Sequence, residues 1–185
     1  MTSATTYAHL TGTYTIDGTH SRIGFVARHA MVTKVRGSFN EFEGSFTLDG
    51  ENPANSSANV TIQTKSVDTR NADRDGHLRN NDFLSVDEFP TITFTSTGIA
   101  QTGEDTFDVT GDLTVKGITK SVTIPFEFGG SAKDPFGNDR VGFEGKTSIN
   151  RSDYGVTFNA ALETGGVLVS DKITLEFEIS AIKNA

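Results

Sequence analysis

The sequence predicts an all-β protein, an eight-stranded antiparallel barrel with two or three short helices at its rim. Apolar and polar residues alternate with a period of two in about eight segments, which is typical of strands with one buried face. Short connections rich in Gly, Asn, Asp and Pro separate these segments, so neighbouring strands are expected to pair antiparallel. Too little helix remains to cover an open sheet, and closing the sheet removes its edges.

The alternation defines the strands one after another along the chain. It is clearest near the C-terminus, where Ile173, Leu175, Phe177 and Ile179 alternate with polar residues. Pro125 lies inside one predicted strand, which indicates an edge position or a bulge there. The predicted strands lie near residues 13–16, 23–27, 42–48, 60–65, 91–96, 107–115, 121–128, 141–149 and 172–182.

Helical signals are few and short. The segment "NADRDGHLRN" follows Asn71, a suitable N-cap residue, and it predicts a helix that carries an unusual density of charge. Two further short helices are predicted near residues 28–33 and in "NRSDYG" at 150–155. Strands, turns and helices together predict a lipocalin-like antiparallel barrel.

Length and composition limit the classes of protein that this chain can belong to. With 185 residues we expect one domain over residues 13–185, preceded by a flexible N-terminal tail at 1–12. A net charge of −8 argues against a nucleic-acid partner, and zero Cys excludes disulfides and thiolate metal sites. The first residues have neither a basic nor an apolar signal region, which predicts a cytoplasmic location.

The interior of the barrel decides the function. An eight-stranded barrel is either packed solid by side chains or able to hold one small ligand, and the pattern alone leaves both open. Small residues at inward positions, namely Gly44, Ala58, Gly111 and Gly145, favour space inside. Strand parity gives twelve inward apolar residues as candidates for a tunnel wall. They are Ile23, Phe25, Phe39, Phe42, Phe46, Ile62, Phe94, Leu113, Val115, Phe126, Phe143 and Phe177.

Several motifs in fixed order resemble the YceI-like family. These are "YTIDGTHSRIGFVARH", "VRGSFNEFEGSF", "SVDTRNADRDGHLRNNDFLSVDEFPTITF", "GDLTVKGITKSV" and "INRSDYGV", and the resemblance spans roughly residues 13–183. It implies a lipocalin-like barrel that sequesters a polyisoprenoid or a similar fatty-chain lipid, without catalysis or a cofactor, and dimers are common in such a family. Tyr154 departs from the pattern because Phe is more usual at that position. Many relatives are exported, whereas no leader is expected here from the first residues.

Four polar residues are candidates for contact with a lipid head group: His29, Arg74, His77 and Arg151. The planar guanidinium of Arg74 suits a phosphate or a carboxylate. For each of the four, a structural role at the barrel rim is the more ordinary explanation, since local Asp bonds and rim ion pairs are common.

Other functions have weaker support in the sequence. The four His residues lack the close spacing of a metal site, so no metal is expected. No nucleophile-elbow or dinucleotide motif is present. Two alternatives to lipid binding are a packed barrel that acts through its surface, and a hydrolase that uses His77 with Asp75 or His29 with Asp17.

Overall fold

The computed structural model of the protein describes residues 7–159, 162 and 168–184. Most of these residues form β-strands. The strands are β1 Gly12–Ile16, β2 Arg22–His29, β3 Thr33–Phe39, β4 Phe42–Leu48, β5 Ser57–Gln63, β6 Val67–Asp68, β7 Thr91–Gln101, β8 Thr106–Val115, β9 Ile118–Lys133, β10 Asp139–Asn150 and β11 Lys172–Lys183. The α-helix is α1 Ala72–Arg79, and the short 3-10 helices are Ala8–Leu10, Pro53–Asn55, Thr64–Ser66 and Arg151–Tyr154.

The strand segments form eight long strands, because three of the long strands are bent. β1 and β2 are two parts of one long strand, and both pair with β11. β3 and β4 form the second long strand, in which β4 pairs with β1 and β3 pairs with β2. β5 and β6 form the third, in which β5 pairs with β4 and β6 pairs with β3. Each long strand pairs antiparallel with the next one along the chain, and β11 pairs with β1 to close the ring. The predicted eight-stranded antiparallel barrel is therefore confirmed.

Each bend occurs at a short insertion. Between β1 and β2, the insertion at residues 17–21 is held against β11 by Ser180. Its carbonyl accepts from the Asp17 N–H at 2.8 Å, and its N–H donates to the Ser21 hydroxyl at 2.9 Å. Between β5 and β6 the insertion is the 3-10 helix Thr64–Ser66. These insertions let a strand change direction while it keeps its neighbours.

The helix predictions had mixed outcomes. The helix after Asn71 is confirmed as α1, and the Asn71 side chain accepts a hydrogen bond from the Arg74 N–H at 2.9 Å. "NRSDYG" forms the 3-10 helix Arg151–Tyr154 rather than an α-helix. The prediction at 28–33 is wrong, because β2 and β3 meet there in a tight turn. Only one α-helix is present within the described residues.

Part of the region that we expected to be a flexible tail forms regular structure. Residues 1–6 lie outside the described residues, but Ala8–Leu10 form a 3-10 helix and Gly12 begins β1. Tyr7 and Leu10 are buried among Tyr14, Phe46 and other core residues. None of the described helices has both the length and the apolar character that a membrane span requires.

Candidate binding cavity

The barrel interior contains an apolar cavity of about 320 Å³. Side chains from all eight long strands line it, so the interior is not packed solid. The volume lies at the lower end of the roughly 300–1,000 Å³ that is usual for small-molecule sites. In the described part of the chain, the polar side chains of the wall lie near its two ends, with Tyr7, Asp49, Ser56 and Ser57 at one end and Arg151 and Tyr154 at the other.

Eleven of the twelve predicted tunnel residues line this cavity. The exception is Phe42, which begins β4 and packs against the core cluster around Ile23 and Ile62 without reaching the cavity wall. The predicted set leaves out other residues that line the wall, although they continue the same alternation along their strands. These are Phe107, Val109, Ile124, Phe128, Ile173, Leu175 and Ile179.

Two glycines of the barrel strands, Gly37 and Gly111, are covered by phenylalanine rings. An added Cβ at Gly37 would lie 2.3 Å from Cζ of Phe25, and one at Gly111 would lie 2.5 Å from Cζ of Phe94. We expected the small inward residues to leave empty space themselves. Ala58 does line the cavity, whereas Gly111 and Gly145 accommodate large rings close to the wall.

Helix α1 and the segment after it close one end of the cavity. Leu78, Phe83 and Leu84 contribute to the wall there, so we name this the α1 end. The charged residues of the helix explain how it is fixed. Buried Asp75 accepts hydrogen bonds from the N–H and the hydroxyl of Thr69, and the Arg74 guanidinium donates to the Thr69 hydroxyl at 2.7 Å and to its carbonyl at 2.8 Å.

Tyr7 and Leu10 line the opposite end, which we name the Tyr7 end. The Tyr7 ring meets the rings of Phe107 and Phe128 edge-on at 5.8 Å and 5.3 Å between centroids. Its hydroxyl donates to the Glu104 carbonyl. Burial is the main cause that raises the pKa of Tyr7 above its usual value. The phenol is therefore neutral at pH 7.

Among the four predicted head-group residues, Arg151 alone lines the cavity within the described residues. Arg74 is exposed and bonded to Thr69, and His29 is exposed at the end of β2, where its backbone bridges to Val169. His77 packs edge-on against Phe83 at 4.9 Å. The contact of Arg74 with Thr69 is thus structural, which was the alternative to a head-group role.

The two predicted acid–base pairs do not form. His77 Nε2 lies 2.9 Å from an oxygen of Asp82, while Asp75 bonds to Thr69. Asp17 bonds to Arg140 and to His20 rather than to His29. In the described part of the chain, no group of three or more His, Asp or Glu side chains is arranged to hold a metal ion.

Arg151 is a buried cation that is held by backbone oxygens. Its guanidinium donates to the carbonyls of Val156 at 2.8 Å, Val169 at 3.3 Å and Ser170 at 2.9 Å. It makes no ion pair with any described carboxylate within 4.0 Å. Burial lowers the pKa of Arg151, and Asp171 partly opposes that shift. The group stays charged at neutral pH because its pKa starts far above 7.

Tyr154 also lines the α1 end, and sequence reasoning did not select it. It is 2 % exposed, and its hydroxyl has no hydrogen-bond partner among the described residues. Burial, with a smaller effect of Asp153, raises the pKa of Tyr154. The signal in the sequence was the departure from Phe at this position.

The closed barrel and its apolar cavity define the class of lipocalin-like proteins with an internal cavity. The chain belongs to the YceI family, since the family model of the YceI-like domain matches residues 14–181. The resemblance predicted from the motifs is thereby confirmed.

Individual relatives agree with this assignment. The chain is 45% identical over 145 residues to a UPF0312 protein of Azotobacter vinelandii. The match covers 77% of this chain and 76% of the relative. The crystal structure of BcnA from Burkholderia cenocepacia has a TM-score of 0.79 at 26% identity and covers 89% of this chain and 98% of BcnA. A polyisoprenoid-binding domain from Saccharophagus degradans has a TM-score of 0.71 at 18% identity, covering 92% and 98% of the two chains, and shares the fold.

Proposed function

We propose that this protein binds a polyisoprenoid or a similar long-chain amphipathic lipid in its barrel cavity. The observation that supports this most directly is the continuous apolar cavity of about 320 Å³ between the α1 end and the Tyr7 end. Transfer of a hydrocarbon tail from water into such a space contributes roughly 0.8 kcal/mol for each buried CH2 group. Affinity would therefore come mainly from the tail. The S. degradans domain with the same fold is described as polyisoprenoid-binding.

In this proposal the head group lies at the α1 end, which is where the polar candidates gather. Arg151 reaches the cavity wall there, and its guanidinium donates to the Val169 carbonyl. The backbone of His29 forms a β-bridge with the same residue. His77 lies beside Phe83 at the same end. We assign no catalytic role to His77 and Asp82, because a binding function accounts for the cavity without one.

Mass spectrometry of organic extracts from the purified protein tests the proposal. We expect a long-chain lipid in stoichiometric amount. A matched pair of variants should then separate cavity binding from surface binding. Val60→Trp adds bulk to the cavity wall, whereas Val32→Trp adds it at a position that is 75% exposed. Loss of the lipid in Val60→Trp alone supports the proposal, and equal retention in both variants contradicts it.

A homodimer and a cytoplasmic location remain predictions. Size-exclusion chromatography with light scattering tests the first, and cell fractionation of the native protein tests the second.

A further inference from the structure

The barrel wall has a polar slot between β9 and β10. Within these described strands, the hydrogen-bonded ladder ends at the pair Phe126–Gly145, although both strands continue beyond it. Pro125 is the residue of β9 next to Phe126 on the unpaired side, and proline has no N–H to donate to a ladder. Beyond this point Thr147 spans the gap through a side-chain bond to the Thr123 carbonyl at 3.2 Å. The edge position expected for Pro125 thus corresponds to a local opening of the sheet.

The slot carries more positive than negative charge. Lys120, Lys172 and Asp153 line it together with several Ser and Thr residues. Both lysines are exposed, and neither forms an ion pair with a carboxylate of the described residues. The residues that line the slot therefore carry two positive charges and one negative charge.

Tyr154 lies between the slot and the cavity. Ile149 and Tyr154 are the residues that line both spaces. The Tyr154 hydroxyl is buried and lacks a partner among the described residues, whereas the equally buried Tyr14 donates to the Leu10 carbonyl at 2.8 Å. A buried hydroxyl without a partner is uncommon, because it loses its bonds to water and gains none. A ligand atom that accepts a hydrogen bond at this position would remove that penalty.

We propose that the cavity and the slot form one binding site, in which an anionic lipid head group accepts a hydrogen bond from Tyr154 and faces Lys120 and Lys172. The inference rests on the proposed function and adds the chemistry of the head group. A carboxylate or a phosphate oxygen suits both donors, because an ionised acceptor forms stronger hydrogen bonds than a neutral one. The tail then extends from the slot into the apolar cavity.

Lipids with the same tail and different head groups test this site. Oleic acid is compared with oleyl alcohol, and farnesyl phosphate with farnesol, each by displacement of an apolar fluorescent dye at pH 7. The ratio of the two affinities cancels the contribution of the tail. We expect each anion to bind more tightly than its alcohol. Tyr154→Phe should lower this preference about tenfold, which corresponds to one hydrogen bond to a charged group.

Two control variants make the test specific. Tyr14→Phe removes a paired hydroxyl outside the cavity wall and should leave the preference unchanged. The double variant Lys120→Gln, Lys172→Gln should weaken the preference and its dependence on salt, whereas Lys34→Gln with Lys65→Gln should not. The size of the preference in the oleic acid pair and in the farnesyl phosphate pair shows whether a carboxylate or a phosphate fits the site better.

The outcomes separate this inference from the proposed function. If the native protein takes up none of the four lipids, the proposed function is contradicted. If it takes up anions and alcohols equally, or if Tyr154→Phe preserves the preference, lipid binding stands and the anionic head-group site is overturned.

Discussion

The ring of Phe126 on β9 covers Gly145, the residue directly opposite on β10. A Cβ added to Gly145 would lie 2.5 Å from Cε1 of this ring, far inside normal contact distance. Phe25 and Gly37 repeat the arrangement between β2 and β3. Residues that face each other across two strands share one side of the sheet, so the ring uses the space that a second side chain would occupy. The axis of the barrel stays open as a result.

Gly145→Ala should therefore narrow the cavity. The new methyl group displaces the Phe126 ring, and overpacking of this kind typically costs about 1–3 kcal/mol. We expect weaker uptake of an apolar dye and a lower melting temperature. Gly98→Ala is the control, because nothing lies within 4 Å of a Cβ added there. Unchanged dye uptake in Gly145→Ala would show that the covered glycine does not hold the cavity open.

Strand parity predicted the barrel and most of the cavity wall, because alternation reports which face of a strand is buried. It did not predict the bends, which follow from insertions such as Thr64–Ser66 that carry no strong turn signal. The turn at Ala30 and Met31 was missed for a similar reason. Both residues have positive φ, 52° and 66°, which Gly, Asn or Asp would normally indicate. Tyr154 was missed because parity says nothing of a residue in a 3-10 helix.

Asp75→Ala should loosen the α1 end. The Asp75 carboxylate holds the N–H and the hydroxyl of Thr69, and both would be left without this partner. Leaving buried donors unpaired costs about 1–3 kcal/mol. We expect a lower free energy of unfolding and faster exchange of the α1 amides with solvent deuterium. Asp73→Ala removes an exposed first-turn acid from the same helix and should cost less than about 1 kcal/mol. Equal effects of the two substitutions would contradict the anchoring role of Asp75.

Arg140→Gln should lower stability at neutral pH and have a smaller effect in acid. Arg140 donates to Asp17 at 2.8 Å and to Asp134 at 2.7 Å. The hydrogen bond from Arg140 is the main cause that holds the pKa of Asp17 well below the usual 3.8. The pKa of Asp134 is lowered to about 2, mainly by the hydrogen bond from the Asn138 N–H and also by the one from Arg140. A lowered folded pKa stabilises the fold above the unfolded value, and this stabilisation is lost as the pH falls towards 2.

Thermal unfolding between pH 7 and pH 2 measures this difference. The melting temperatures of the native protein and of Arg140→Gln should differ most near pH 7 and converge as the carboxylates become protonated. Lys133→Gln serves as the control, since Lys133 and Asp139 form an exposed pair at 3.5 Å. Such pairs contribute little. A constant difference across the pH range would contradict the role assigned to the two carboxylates.

Tyr7→Ala should open the end of the cavity opposite α1. The Tyr7 ring is 9 % exposed, lines the cavity and packs edge-on against Phe107 and Phe128. Truncation of a buried aromatic side chain typically costs about 3–5 kcal/mol, and here it also removes part of the wall. We expect a lower melting temperature and faster release of a bound dye, measured by stopped-flow fluorescence. Tyr7→Phe keeps the ring and loses only the bond to the Glu104 carbonyl. If the ring closes this end, Tyr7→Phe should release the dye at close to the native rate, whereas equally fast release from both variants would assign closure to the hydroxyl.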